Sequence, residues 1–224
     1  MIEFQKYPKT PRLFRDAVIT EKLDGTNSGV QVVLASELIP EAERSTAYFG
    51  SSEGLIEYLK VHYPQFQYVT VDGVSYAVAA QSRSRLITPG KQTDNYGFAG
   101  WVYENAEMLA RTLGPGIHFG EWWGQGIQRR YGLDHKKFSL FNVARWAHLE
   151  TQSPDRSLGV VPVLFEGKFS TAWVSLALSH LIEDGSAAAP GFMNPEGLIV
   201  FHKASGAWFK VTIENDEEPK GQNR

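Results

Sequence analysis

Short runs rich in β-branched and aromatic residues punctuate this chain at 17–21, 29–35, 67–71, 76–80, 117–122, 138–143, 197–202 and 208–213. Side chains of that kind fit a pleated, half-buried surface, so each run reads as a strand. Helical spacing is rarer. Residues 54–62 form one candidate helix, stopped by Pro64. Residues 101–113 place Val102, Ala106, Leu109 and Leu113 on one stripe before Gly114-Pro115, and 173–183 do the same with Trp173, Leu176, Ala177 and Leu181. So few helices cannot alternate with so many strands, which excludes a doubly wound parallel sheet. The pattern predicts an α+β fold of mainly antiparallel sheets flanked by helices.

With 224 residues, 42% of them hydrophobic, the chain can bury a substantial core as one large domain or two small ones. No internal repeat is visible. The stretch 185–192 reads as a surface loop, and 214–224 as a polar tail. The absence of cysteine rules out disulfides, thiolate zinc sites and cysteine nucleophiles. A net charge of −3 supplies no global field for nucleic acid, so any such binding must use local basic patches. The first residues, MIEFQKYPKTPRLFRD, lack the apolar core of a secretion signal, and no run approaches a membrane span. A cytoplasmic protein without a membrane partner is the expectation.

Six stretches bear on chemistry. In TEKLDGTN (20–27), Lys22 follows the apolar run Ala17-Val18-Ile19 and precedes Asp24-Gly25. It is either a solvated charge beside a plain turn or a nucleophile held by a buried strand. In QSRSRL (81–86), Arg83 and Arg85 alternate with serines after a strand, so both forks can point one way toward phosphate. Glu121, in HFGEWWG, is expected to be enclosed by Phe119, Trp122 and Trp123, where a carboxylate needs a partner: a ribose hydroxyl, a cation, or Arg129. The QRRY run at 128–131 adds a basic patch. KKFSLFNV (136–143) alternates Phe138 and Leu140 with Ser139 and Phe141, and either aromatic face suits core packing or base stacking. Glu196-Gly197 opens an apolar strand where a carboxylate could serve a divalent cation, and Lys210 sits among apolar neighbours in AWFKV.

In this order the six stretches resemble the motif series of the covalent nucleotidyltransferases: ATP-dependent DNA and RNA ligases and mRNA capping enzymes. EKLDGTN is most similar to the RNA ligase 2-like branch, and the resemblance spans about 18–213. It implies a nucleotidyltransferase (adenylation) domain over 1–213, with no OB-fold or helical domain after it. Glu21, Lys22, Asp24, Gly25 and Asn27 belong to the nucleotidyl-lysine motif. By the same resemblance Glu121 holds the ribose, Phe141 covers adenine, Glu196 positions the metal, and Arg83, Arg85 and Lys210 meet phosphates. Thr212 stands where the closing motif usually has a second lysine, with Lys220 in the tail as an alternative.

The implied activity is ligation of RNA ends by ATP and Mg²⁺ or Mn²⁺, through lysyl-AMP on Lys22. Its partners would be RNA ends or a nicked duplex, DNA-containing strands included. An unperturbed lysine is only about 0.04% deprotonated at pH 7, so such a nucleophile requires desolvation or neighbouring cations. A DNA ligase, a capping guanylyltransferase and a non-catalytic nucleotide- or RNA-binding module remain as alternatives.

Overall fold

The computed structural model describes residues 1–40, 51–149 and 157–214. Its strands, in chain order, are β1 (Asp16–Lys22), β2 (Thr26–Leu34), β3 (Gln67–Val71), β4 (Val74–Ser82), β5 (Leu86–Ile87), β6 (Gly116–Gly124), β7 (Lys136–Leu140), β8 (Leu158–Val160), β9 (Val163–Lys168), β10 (Gly197–His202) and β11 (Ala207–Thr212). The helices are α1 (Ser52–His62), α2 (Phe98–Glu104), α3 (Ala106–Leu113), the single turn α4 (Val143–Trp146) and α5 (Thr171–Asp184), with a 3₁₀ turn at Ala35–Leu38. This is the expected mixture of antiparallel sheets and flanking helices. Among the described residues no helix is long and apolar enough to cross a membrane.

The chain divides into two compact units: Met1–Asp24, Tyr131–Asp134 and Val161–Arg224 form one, and Gly25–Arg130 with His135–Val160 form the other. The first holds a four-stranded antiparallel sheet in the order β11-β10-β1-β9. Its core joins Ala17 and Ile19 of β1, Leu198 and Val200 of β10, and Ala177 and Leu181 of α5. Side chains alternate along a strand, so the opposite face of β1 carries Val18, Thr20 and Lys22. The helical stripe is narrower than the sequence suggests. Trp173 and Leu176 are exposed, and Trp173 stacks on Phe165 at 4.6 Å.

The second unit holds a seven-stranded sheet in the order β3-β4-β2-β6-β7-β8, with β5 paired to β4 and only β7–β8 parallel. Val30, Val32, Val78, Ala80, Phe138 and Leu140 pack with Val102, Ala106, Leu109 and Leu113 in its core. Phe138 therefore takes the core-packing role. Its ring lies 5.0 Å from Phe98 and 5.8 Å from Trp101.

Three expectations are corrected. The helix predicted over 101–113 is two helices that meet at Asn105, whose backbone (φ −108°, ψ 16°) leaves the helical region while its N–H (3.0 Å) and its Nδ2 (2.8 Å) both donate to the Trp101 carbonyl. The strand predicted over 138–143 ends at Leu140, because Asn142 accepts from the Arg145 N–H (3.1 Å) and caps α4. The stretch 185–192 is not simply a surface loop: Ser186 and Ala189 are buried. Of the polar tail, only Glu214 lies within the described residues, and Lys220 lies outside them.

Candidate active site

In the first unit Lys22 ends β1, and its ammonium pairs with the carboxylate of Glu196, which immediately precedes β10. Both side chains are withdrawn from water, at 19% and 9% exposure. The register explains why they meet. Lys22 lies opposite Gly197, and Gly197 lies opposite Thr212 on β11. One row along, Thr20 faces Ile199, which faces Lys210. Directly opposed residues share a face, so Lys22, Lys210 and Thr212 project from the same side of this sheet. The hydroxyl of Thr212 thus occupies the row of the lysine itself.

Glu21 points the other way. It is 1% exposed and accepts hydrogen bonds from Ser186 Oγ (2.6 Å) and the Ala188 N–H (2.9 Å). Burial pushes its carboxyl above the usual value, and those donors oppose the rise. This side chain therefore ties the 185–192 loop to β1 on the face away from Lys22. The buried serine after the helix-ending Gly185 was the only sequence hint of that role.

Asp24 is positioned by a residue that the sequence reading passed over. Its backbone N–H donates to the Tyr131 hydroxyl (2.8 Å). Tyr131 is 2% exposed, and its ring lies 4.7 Å from Phe192. Burial raises its phenol well above the ordinary value, with the charges of Glu21, Asp24 and Glu196 adding to the effect, so it stays a neutral hydroxyl. Gln128, Arg130 and Tyr131 all have left-handed backbones, at φ 42°, 61° and 53°. Bulky residues rarely adopt that conformation, and such strain collects at functional sites. Gly126 and Gly132 around an aromatic residue were the available signal.

In the second unit Gly25 and Asn27 lie beside β6. The Gly25 N–H donates to Glu121 Oε1 (3.0 Å), and Asn27 is the register partner of Glu121. Gly25 is required by space: a Cβ there would sit 2.3 Å from the Trp122 carbonyl oxygen. Glu121 shares its β6 face with Phe119 and Trp123, while Trp122 turns into the core. Phe119 is 46% exposed, so the enclosure expected around Glu121 is open on that side. Ser139 lies opposite Glu121, and the Phe141 N–H donates to the Phe119 carbonyl (3.0 Å). Lys137 lies over the Trp123 ring at 5.5 Å, and burial there lowers its pKa.

Arg83 and Arg85 are exposed but do not continue a strand. Ser82 caps a tight reversal, with the Arg85 N–H donating to its Oγ (3.3 Å) and its own N–H donating to the Arg85 carbonyl (2.8 Å). The strand-based alternation of the two guanidinium groups is therefore replaced by a turn that leads into β5. A cavity of about 370 Å³ bounded by Glu104, Asn105, Glu107, Met108, Arg111 and Thr112 is lined by none of the candidate residues.

Among the described residues no cluster of three or more carboxylates or imidazoles could hold a metal. The donor present is one buried carboxylate, Glu196. That suits a hard cation which keeps several waters and substrate phosphate oxygens as its other ligands.

A lysine paired to a buried carboxylate, with a second lysine on the same sheet face, can carry out nucleophilic attack on a phosphoryl group. Comparison with known proteins agrees with that chemistry. The RNA ligase family model matches residues 15–212, and the chain belongs to that family. Solved structures with the same fold include mutant RNA ligases of Naegleria gruberi. One with ATP and Mn has a TM-score of 0.52 at 14% identity, covering 90% of this chain and 51% of that one. Another with ATP and Mn scores 0.51 at 14% identity, covering 88% and 49%. A third, with AMP and Mn, scores 0.50 at 14% identity, covering 89% and 50%. The chain thus spans about half the length of these structures. No curated protein matches.

Proposed function

We propose that this chain is the adenylating part of an ATP-dependent RNA ligase, with Lys22 as its nucleophile. The observation that carries the reading is the half-buried Lys22 held against Glu196 at a strand end, with Lys210 and Thr212 on the same face. Lys22 Nζ, after giving a proton to Glu196 or to water, attacks the α-phosphorus of ATP; a P–N bond forms, and the bond from that phosphorus to the bridging oxygen breaks to release pyrophosphate. The AMP then passes to a 5′-phosphate on RNA, and a 3′-hydroxyl displaces it as the strands join. Transfers of this kind depend mainly on positioning and charge neutralisation.

The residue roles follow the motif resemblance, and the local contacts of each residue are compatible with them. Glu121, fixed by the Gly25 N–H, takes a ribose hydroxyl, and Phe141 covers adenine. Lys210, Arg83 and Arg85 meet phosphates. Glu21 and Asp24 act through position: Glu21 anchors the strand behind the nucleophile, and Asp24 sets the chain after it. Glu196 would hold a divalent cation, whose chemistry is to neutralise charge on the transferring phosphate. RNA ends are the substrate class, and a nick in a duplex is the finer form of it.

The experiment is intact mass after incubation with ATP and a divalent cation. The expected result is the gain of one AMP, absent in Lys22→Ala and absent when GTP replaces ATP. Persistence of the adduct in Lys22→Ala would assign the nucleophile elsewhere.

A further inference from the structure

Residues 1–16 are unlike the rest of the molecule. Every side chain from Met1 to Asp16 is exposed, and residues 1–12 carry neither helix nor strand. Phe4, Tyr7 and Phe14 are 92%, 84% and 72% exposed, so their ring faces are open to solvent. Between them stand Lys6, Lys9 and Arg12, and Arg15 follows. Four cations against only Glu3 and Asp16 give this segment a positive balance within a chain of net charge −3. Pro8 and Pro11 remove two N–H donors and hold the backbone away from helix and from a sheet interior.

The base of the segment is fixed. The Leu13 carbonyl accepts from His202 Nε2 (2.7 Å), the Arg15 carbonyl from the Phe169 N–H (2.8 Å), and the Asp16 carbonyl from the Lys203 N–H (2.9 Å). From Asp16, β1 runs roughly 20 Å to Lys22 at strand rise. The twelve residues before Leu13 can extend to roughly 40 Å. A strand engaged at Lys22 is therefore within reach of the whole segment.

We propose that residues 4–15 form an arm that binds single-stranded RNA, stacking bases on Phe4, Tyr7 and Phe14 and meeting phosphates with Lys6, Lys9 and Arg12. This rests on the RNA-ligating reading above. Exposed aromatic faces interleaved with cations are what an unpaired strand recognises, because every base has a π-face and every nucleotide a phosphate. The charge balance favours a polyanion over an apolar protein groove. Prolines keep the arm extended, which lowers the entropy lost when it is ordered on a strand.

The test uses the full chain, a fluorescein-labelled 5′-phosphorylated 20-nucleotide RNA, and anisotropy titrations from about 50 to 200 mM salt. A Phe4→Ala/Tyr7→Ala/Phe14→Ala variant should bind at least about tenfold more weakly. A Lys6→Gln/Lys9→Gln/Arg12→Gln variant should flatten the slope of log affinity against log salt by about 2. AMP-adduct formation should stay within about twofold of wild type in both. Unchanged RNA affinity and slope would overturn the arm. So would a parallel loss of adduct and thermal stability, or a change in oligomeric state by light scattering with RNA binding intact. Failure of the wild type to form the adduct would instead sink the ligase reading, and the anisotropy result would still decide the arm.

Discussion

At the residue scale, the phenol of Tyr131 separates positioning from packing. Replacing it with phenylalanine keeps the ring beside Phe192 but takes away the acceptor of the Asp24 N–H. A partly buried donor left without its partner costs about 1–3 kcal/mol, and the chain beside Lys22 would relax to find another. Displacements of that order cost up to about a hundredfold in rate. Tyr131→Phe is expected to slow single-turnover adduct formation by about tenfold to a hundredfold while circular dichroism stays native. A wild-type rate with lowered stability would make Tyr131 purely structural. Glu21 gives a pH test. Burial holds its folded pKa above the ordinary value of about 4.5, so ionisation costs more in the folded state than in the unfolded one. Its favourable contribution is complete below about 4.5 and is lost as pH rises from there through the folded value. In thermal melts across that range, wild type should lose ground to Glu21→Gln as pH rises. The opposite trend would mean that the Ser186 and Ala188 donors outweigh burial.

Among the elements, β10 carries the geometry of the first unit, and Gly197 is its hinge point. At φ 150° a Cβ there would lie 2.2 Å from the Val211 carbonyl oxygen. Gly197→Ala must push β11 away, shifting Lys210 and Thr212 relative to Lys22. Overpacking and backbone strain together suggest a loss of about 3 kcal/mol or more. The urea midpoint should fall, and adduct formation should fall with it; a stable, active Gly197→Ala would show that the register is not needed. The strand runs were legible in the sequence because apolar alternation is written locally, so β1, β2, β4, β6, β10 and β11 all appear where periodicity places them. What was hidden is set by competition. β9 was missed because its residues, VLFEGK, are half-exposed at a sheet edge and alternate weakly. The breaks fall at single asparagines: Asn105 leaves the helical backbone region while its side chain joins its N–H on the Trp101 carbonyl, and Asn142 caps the turn that ends the strand. The candidate site follows the same division. Lys22, Glu121, Glu196 and Lys210 announce themselves as charges inside apolar runs. Tyr131 and Ser186 do not, because their roles depend on partners 107 and 165 residues away in the chain.

For the whole molecule, chain connectivity separates two kinds of work. The chain passes from the first unit to the second between Asp24 and Gly25, inside the stretch TEKLDGTN that holds the proposed nucleophile. Lys22 and Glu196, the proposed nucleophile and its carboxylate, belong to one unit, and Glu121 and Phe141, proposed to take ribose and base, belong to the other. Strand engagement has less to draw on. The net charge is −3, and Lys136 and Lys137 are partly committed, to the Tyr96 carbonyl (2.6 Å) and to the Trp123 ring. Arg83, Arg85, Arg130 and the basic arm are exposed and can supply phosphate contacts. Each neutralised phosphate contributes roughly 0.7–0.9 to the slope of log affinity against log salt. With about four such contacts, a rise from about 50 to 200 mM salt should weaken RNA binding roughly 50- to 150-fold. The proposed first step turns on Lys22, which is withdrawn from water against Glu196, and salt screens such a charge less than an exposed one. On one 5′-phosphorylated RNA nick, sealing should therefore fade steeply across that range while adduct formation changes little. Equal loss of both steps would place the salt-sensitive event at the nucleotide. Undiminished sealing at 200 mM would require an RNA surface held by contacts other than phosphate neutralisation.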